Sequence, residues 1–261
     1  MAAHRSGPPR GRRPAQGEPV IARALRLLDA FQEPQEALSL TSLAARARLS
    51  KSTALRLARH LLDWGALERT DGGQFVIGLR LLEVASLAPR GHGLRAAAMP
   101  FLEDLHHATG QHVLLAVRDG AEAVLVERLS AHRAGRAAYH VGGRLPLHST
   151  GVGLILLAFA PLDVRERVLE GPLTIEPGAP RVGPDELRRR IAAIRREGTA
   201  TNTRELPEPM SSVAAPVTGP DGSVVAALSV LAPTGTFDPA TARPAVVAVS
   251  RAVSRAIRAR S

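Results

Sequence analysis

The stretch from Ser39 to Gly78, "SLTSLAARARLSKSTALRLARHLLDWGALERTDGGQFVIG", admits few folds. Ser39 or Thr41 can cap a short helix over Thr41–Ala47, and Ser50 can cap a second from Lys51 to Trp64. Leu40, Leu43, Ala44, Ala47, Leu49, Ala54 and Leu57 then fall where two steeply crossing helices must touch, and the small Ala44 permits their approach. This is a helix-turn-helix pattern. Gly65 stops the second helix, and Leu67–Thr70 and Gln74–Ile77 read as strands about an Asp71-Gly72-Gly73 turn, a strong hairpin signal. Upstream, Val20–Phe31 sets Ile21, Ala24, Leu25, Leu28 and Phe31 at helical spacing on one face. Helix, helix-turn-helix and hairpin in that order predict a winged helix over residues 20–78.

Such a unit reads DNA through the N-terminus of its second crossing helix, whose free N–H groups and positive dipole end suit phosphates and base edges in the major groove. Ser50, Lys51, Ser52, Thr53 and Arg56 stand at that end and can reach bases or backbone. Arg46, Arg48, Arg59, Arg69 and Gln74 are placed to position the unit on phosphates. The net charge of +10 is a weaker argument, because Lys51 is the single lysine and an arginine bias can follow coding-sequence composition. Its distribution says more. Residues 1–89 hold 13 Lys and Arg against 8 Asp and Glu, an excess of +5 and half of the total.

Several classes of chemistry are not expected. The chain has no cysteine, which removes disulfides, thiolate nucleophiles and Cys-ligated zinc and suits a reducing cytoplasm. No apolar run is long enough for a membrane span. Residues 1–19 carry arginines without an apolar core, so they read as a disordered basic tail and not as a secretory signal. No G-x-S-x-G elbow, P-loop or H-E-x-x-H motif occurs, and "GVG" at Gly151–Gly153 lacks the third glycine of a dinucleotide loop. His106, His107 and His112 lie close in sequence, but adjacent histidines point different ways on a helix and lack the i, i+4 ligand spacing. No catalytic residue, metal or cofactor is assigned, and the chain is not expected to be an enzyme.

Beyond the hairpin, residues 79–110 read as two linker helices broken near Pro89–Gly93. Their apolar stripe runs through Leu79, Leu82 and Leu87, then Leu94, Ala98, Phe101, Leu102 and Leu105. From Gln111 the period changes. "HVLLAVRDGAEAVLVERL" predicts two strands about Asp119-Gly120, "AAYHVGGRLPLH" another, and "GVGLILLAFA" a buried helix. "VGPDELRRRIAAIRREG" predicts an amphipathic helix stopped at Gly198, followed by strands at "TATNT" and at "SSVAAPVTGPDGSVVAALSVLAP", the last with a Pro220-Asp221-Gly222 turn. A final helix starts at Pro239, with Asp238 as its cap. Residues 111–261 are therefore expected to form an α/β domain, which makes the expected class of the whole chain α+β.

The ordered motifs "ALRLLDAF", "LSLTSLAARARLSKSTALRLARHLLDWGALER", "GQFVIGLRLLEVA", "GGRLPLHSTGVGLILLAF" and "AAPVTGPDGSVVAALSVLAP" together resemble the IclR (isocitrate lyase regulator) family of bacterial transcription factors. The resemblance runs from Val20 to the C-terminus. It implies a cytoplasmic regulator that binds double-stranded operator DNA as a homodimer or a dimer of dimers, with no membrane partner. The linker helices would help pair two DNA-binding heads, and the second domain would be a GAF-like effector-binding domain. The implied effector is an organic acid or aromatic metabolite, held by Ser149, Thr150, Gly151, Val152, Asn202, Ser212, Ser229 and Leu231. Gly151 and Val152 would offer backbone N–H groups at a helix start, a seat for a carboxylate.

This chain departs from that family's pattern in places. Ser149 and Ser212 stand where cysteine is frequent, Asn202 where an acid is, Leu231 where serine is, and Gly153-Leu154 where Gly-Lys is. "LPEPM" at Leu206–Met210 replaces a stretch that usually includes glycine. The lost charge and hydroxyl argue against a small hydroxy- or keto-acid and favour a less polar ligand, or a pocket that has lost its ligand. A constitutive DNA-binding regulator whose second domain only oligomerises is the alternative reading. A metabolite-processing enzyme with an accessory helical domain is a more distant one.

Overall fold

The computed structural model of the chain describes residues 18–33, 35–88, 92–130, 139–173, 182–204, 209–235 and 238–260. Residues 1–17 of the expected tail, the Ala137-Ala138 start of one expected strand and Leu206–Glu208 lie outside them. The chain divides into two compact units between Leu87 and Ala88. The expected linker, 79–110, is thus shared between the units.

In the first unit α1 (Val20–Asp29), α2 (Leu40–Arg46) and α3 (Lys51–Trp64) precede the hairpin β1 (Leu67–Arg69) and β2 (Phe75–Ile77), with α4 (Leu79–Ser86) after it. Local chemistry accounts for the boundaries. Ser39 and Ser50 accept hydrogen bonds from the backbone N–H groups of Ser42 and Thr53, capping α2 and α3. Leu27, Leu43, Ala44, Ala54, Leu57, Leu67 and Phe75 fill the core. Leu38, ahead of α2, exchanges two backbone hydrogen bonds with Phe75, each 2.8 Å, and so extends the wing by one bridge.

The expected stripe of α1 is covered in part. Ala24, Leu28 and Phe31 pack against the core beside the buried Leu27 and Ala30, whereas Ile21 is 71% and Leu25 53% exposed. The apolar arc of α1 is wide, and helical spacing marks the arc without telling which half meets the helix pair. On α4 likewise, Leu79 and Leu82 are exposed.

The second unit opens with α5 (His92–Thr109) and continues through β3 (His112–Asp119), β4 (Glu122–Leu129), β5 (Arg144–Pro146) and α6 (Gly151–Ala158). Helices α7 (Leu162–Glu170) and α8 (Pro184–Glu197) precede β6 (Ala200–Arg204), β7 (Met210–Thr218), β8 (Val224–Pro233) and α9 (Pro239–Arg258). The strands form one antiparallel sheet in the order β5-β4-β3-β8-β7-β6. Alternation sends Leu114, Ala214, Ala227 and Leu231 to the α6 side. Val113, Leu115, Val213, Leu228 and Val230 go to the side covered by α5 and α9. Both faces are buried, which explains the nearly continuous apolar run of β8. Helix α7 has no counterpart in the sequence reading. Among the described residues no helix is long and apolar enough to cross a membrane.

Candidate nucleic-acid interface and ligand cavity

The N-terminal turn of α3 is built by Ser50. Its hydroxyl accepts from the Thr53 N–H at 3.3 Å and donates to Thr53 Oγ1 at 2.9 Å. Both serine and threonine hydroxyls are therefore committed to the cap, while Lys51, Ser52, Arg56 and Arg59 are exposed beyond it. Arg48 sits in the turn between α2 and α3 with φ 54°, a left-handed conformation unusual for a side-chain-bearing residue. On the wing, Arg69 donates to the Gly73 carbonyl at 2.8 Å and its guanidinium lies over the Phe75 ring, and Gln74 is exposed.

Arg46 has another occupation. It donates to the Ala30 carbonyl at 3.0 Å and pairs with Glu36 at 2.7 Å, tying α2 to the end of α1. The backbone N–H of Gln32 and, less strongly, Arg46 hold the Glu36 carboxylate below its usual range against the opposing effect of burial.

In the second unit the polar candidates gather where α6 begins. Thr150 caps α6, accepting from the Gly153 N–H at 3.1 Å and donating to the Pro146 carbonyl at 3.0 Å. All eight residues of α6 are buried, so its start points into the domain. Sheet register does the rest. Asn202, Ser212 and Leu231 pair directly across β6, β7 and β8, and Ser229 lies one pleat away on the same face opposite Leu114. Gly151 abuts this row so tightly that an added Cβ would stand 2.5 Å from Ser212 Oγ.

Seven of the eight expected effector residues thus converge, with Leu114, Tyr139, Leu145 and Met210, around a cavity of about 10 Å³. That space holds about one water molecule. Among the described residues no charged side chain lines it. Its polar groups are turned toward each other: Asn202 Nδ2 donates to the Ser149 carbonyl at 3.0 Å, and Ser212 Oγ donates to the Asn202 carbonyl at 3.4 Å. Ser149 does not line the cavity, and its buried hydroxyl has no hydrogen-bond partner among the described residues. The four added lining residues were not legible in the sequence, because strand alternation shows which residues share a face but not which rows come into register. Among the described residues no group of three or more His, Asp or Glu is gathered for a metal.

Comparison with known proteins bears on both units. Residues 20–71 match the IclR helix-turn-helix domain and residues 88–259 the bacterial transcriptional regulator IclR C-terminal domain. The HTH-type transcriptional regulator XynR of Escherichia coli is 31% identical over 222 residues, covering 84% of this chain and 88% of that protein. The Escherichia coli transcriptional repressor IclR is 28% identical over 197 residues, 74% of this chain and 72% of its own. An IclR homologue from Microbacterium hydrocarbonoxydans, solved as a complex with 4-hydroxybenzoate, superposes with a TM-score of 0.85 at 32% identity, covering 92% of this chain and all of that one. A helix-turn-helix with a capped second helix, a sheet-and-helix second domain and two family matches that together span nearly the whole chain lead to one conclusion: this chain belongs to the IclR family of bacterial transcriptional regulators.

Proposed function

We propose that this regulator binds operator DNA as a cytoplasmic homodimer, laying the start of α3 in the major groove of each half-site. The exposed, Ser50-capped turn carrying Lys51, Ser52 and Arg56 is the observation on which this rests. Arg48 and Arg59 add phosphate contacts, and the wing adds Gln74. Arg69 and Arg46 serve mainly to hold the wing and the helix pair in shape. Pairing of two chains is supported by the exposed apolar residues of α1 and α4, which a single copy leaves in water.

A small apolar or aromatic ligand is the effector that best suits the cavity at α6, whose lining is neutral. The related protein complexed with 4-hydroxybenzoate supports that class. The cavity must widen to admit it, so binding would favour one conformation over another, and only such differential affinity can change DNA binding. The mutual hydrogen bonding of Asn202, Ser149 and Ser212 favours a second reading, a constitutive regulator whose second domain only oligomerises.

The deciding experiment selects bound genomic fragments and then measures affinity across a salt series. Lys51→Ala with Arg56→Ala is expected to weaken operator binding while leaving the dimer intact. If both contact phosphate in each half-site, the dimer loses four contacts and the slope of log K against log salt falls by about 3.6, at roughly 0.9 per contact. Unchanged affinity and slope would defeat the assignment of α3. A calorimetric titration with 4-hydroxybenzoate that shows no heat and no shift in operator affinity would favour the constitutive reading.

A further inference from the structure

We propose that the second unit carries another ligand site, on α9, which takes a small molecule bearing two or more linked phosphate groups. It is a groove of about 390 Å³ between the second half of α9, the end of α8 and residues 215–218 of β7. Its walls, 197–198, 215–218 and 247–258, all lie within the described residues. The groove exists because β6 pairs with β7 only as far as Ala214. The strand beyond has an open edge, which the Ser250 and Ser254 hydroxyls of α9 close by bonding the Pro216 carbonyl and the Thr218 N–H. Arg251, Arg255 and Arg258 recur at intervals of four and three residues, on the stripe of α9 that carries those serines. The volume lies in the range of roughly 300–1,000 Å³ that holds small ligands, whereas the cavity at α6 does not.

The chemistry of the occupant follows from the charges. Helix α9 holds four arginines and no acid in 20 residues, so no ion pair can form within it. On α8, by contrast, Arg188 pairs with Asp185, and Arg189 and Arg190 pair with Glu186. Among the described residues Arg251, Arg255 and Arg258 have no carboxylate partner, and all three are exposed. Like charges at this spacing repel along a helix, and a shared counter-anion removes that cost. Among the described residues Glu197 is the one acid that lines the groove, and Arg196 at 3.5 Å and Arg243 at 3.9 Å already face it. The buried serines offer no competing donor, since Ser250 donates to the Pro216 carbonyl and Ser254 to the Ser250 carbonyl at 2.8 Å. The free donors are the guanidinium forks, which match phosphate oxygens two at a time. From Arg251 to Arg258 the helix rises about 10 Å, enough for successive phosphates and too much for one.

The test titrates the full chain calorimetrically with orthophosphate, inorganic triphosphate and adenosine triphosphate. Triphosphate is expected to saturate one site per chain and to bind at least about tenfold more tightly than orthophosphate. The double variant Arg251→Gln, Arg255→Gln should weaken it by about tenfold or more. Glu197→Gln, which removes the lining acid, should strengthen it by about twofold or more. Arg189→Gln with Arg190→Gln makes the same change of net charge elsewhere on α8 and should alter it by less than about twofold. Adenosine triphosphate binding more tightly than triphosphate would make a nucleotide the source of the phosphates, and equal or weaker binding a free polyphosphate; both support the site. Thermal unfolding reports whether each variant folds, and the gain at Glu197→Gln decides if the double variant does not. The proposal is overturned if triphosphate shows no saturable site, or if the α9 and α8 variants weaken it alike or not at all. It is equally overturned if Glu197→Gln brings no gain. An α9 variant that loses operator binding as strongly as triphosphate binding would show that this face meets DNA, and would overturn it too.

Discussion

At Gly78 a methyl group would sit inside contact distance of the Gly65 carbonyl oxygen, because the end of the wing crosses the stop of α3 there. Both partners are backbone, so neither can swing aside. Gly78→Ala should cost the first unit about 1–3 kcal/mol, measurable as a lower urea midpoint. Glu36 provides a second residue-scale prediction. Its carboxylate is held below the usual range in the fold, so on acidification the unfolded chain takes up its proton first. The stabilisation is therefore complete above the ordinary glutamate pKa of about 4.3 and is lost as pH falls through the lower folded value. Glu36→Gln should flatten that part of the stability curve, and an unchanged acid limb would refute the role of the Gln32 and Arg46 bonds. The serine caps were legible because a cap bonds three residues along the chain. The Arg46–Glu36 pair was not, since it depends on how α2 is folded back beside α1.

Helix patterns carried their information unevenly. Periodicity located α3 from Lys51 to about Trp64, α8 up to its Gly198 stop, and α9 from its Asp238 cap onward. It overlooked α7, whose short sequence has only Val164 and Val168 buried in a charged surround. It also marked apolar stripes on α1 and α4 that the folded unit covers only in part, leaving Ile21 and Leu25 exposed on one and Leu79 and Leu82 on the other. If these faces join two copies, Leu79→Glu with Leu82→Glu should shift the chain toward monomer in analytical ultracentrifugation. Operator affinity should drop with it, since two half-sites are no longer bound together. A variant that stays dimeric would show that pairing lies elsewhere. Helix α6 is the opposite case, apolar on every side and buried on every side, so its pattern reveals burial but no orientation.

For the whole molecule, two units with separate cores predict two unfolding events. The first unit has the smaller core, and calorimetry should show it melting apart from the sheet domain, with a van't Hoff enthalpy below the calorimetric one. A single transition with matching enthalpies would mean that the units unfold as one. From its own residues the chain determined the order of its elements, their caps and turns, and the winged-helix class, because these arise from contacts between near neighbours along the backbone. Tertiary structure alone decided that Arg46 is tied down while Lys51 and Arg56 are exposed, that Asn202 and Ser212 close on each other and leave room for about one water, and that a far larger groove opens beside Arg251 and Arg255. Those outcomes depend on strand register and on groups brought together from distant parts of the chain, where the free volume left after packing is set by all the neighbours at once.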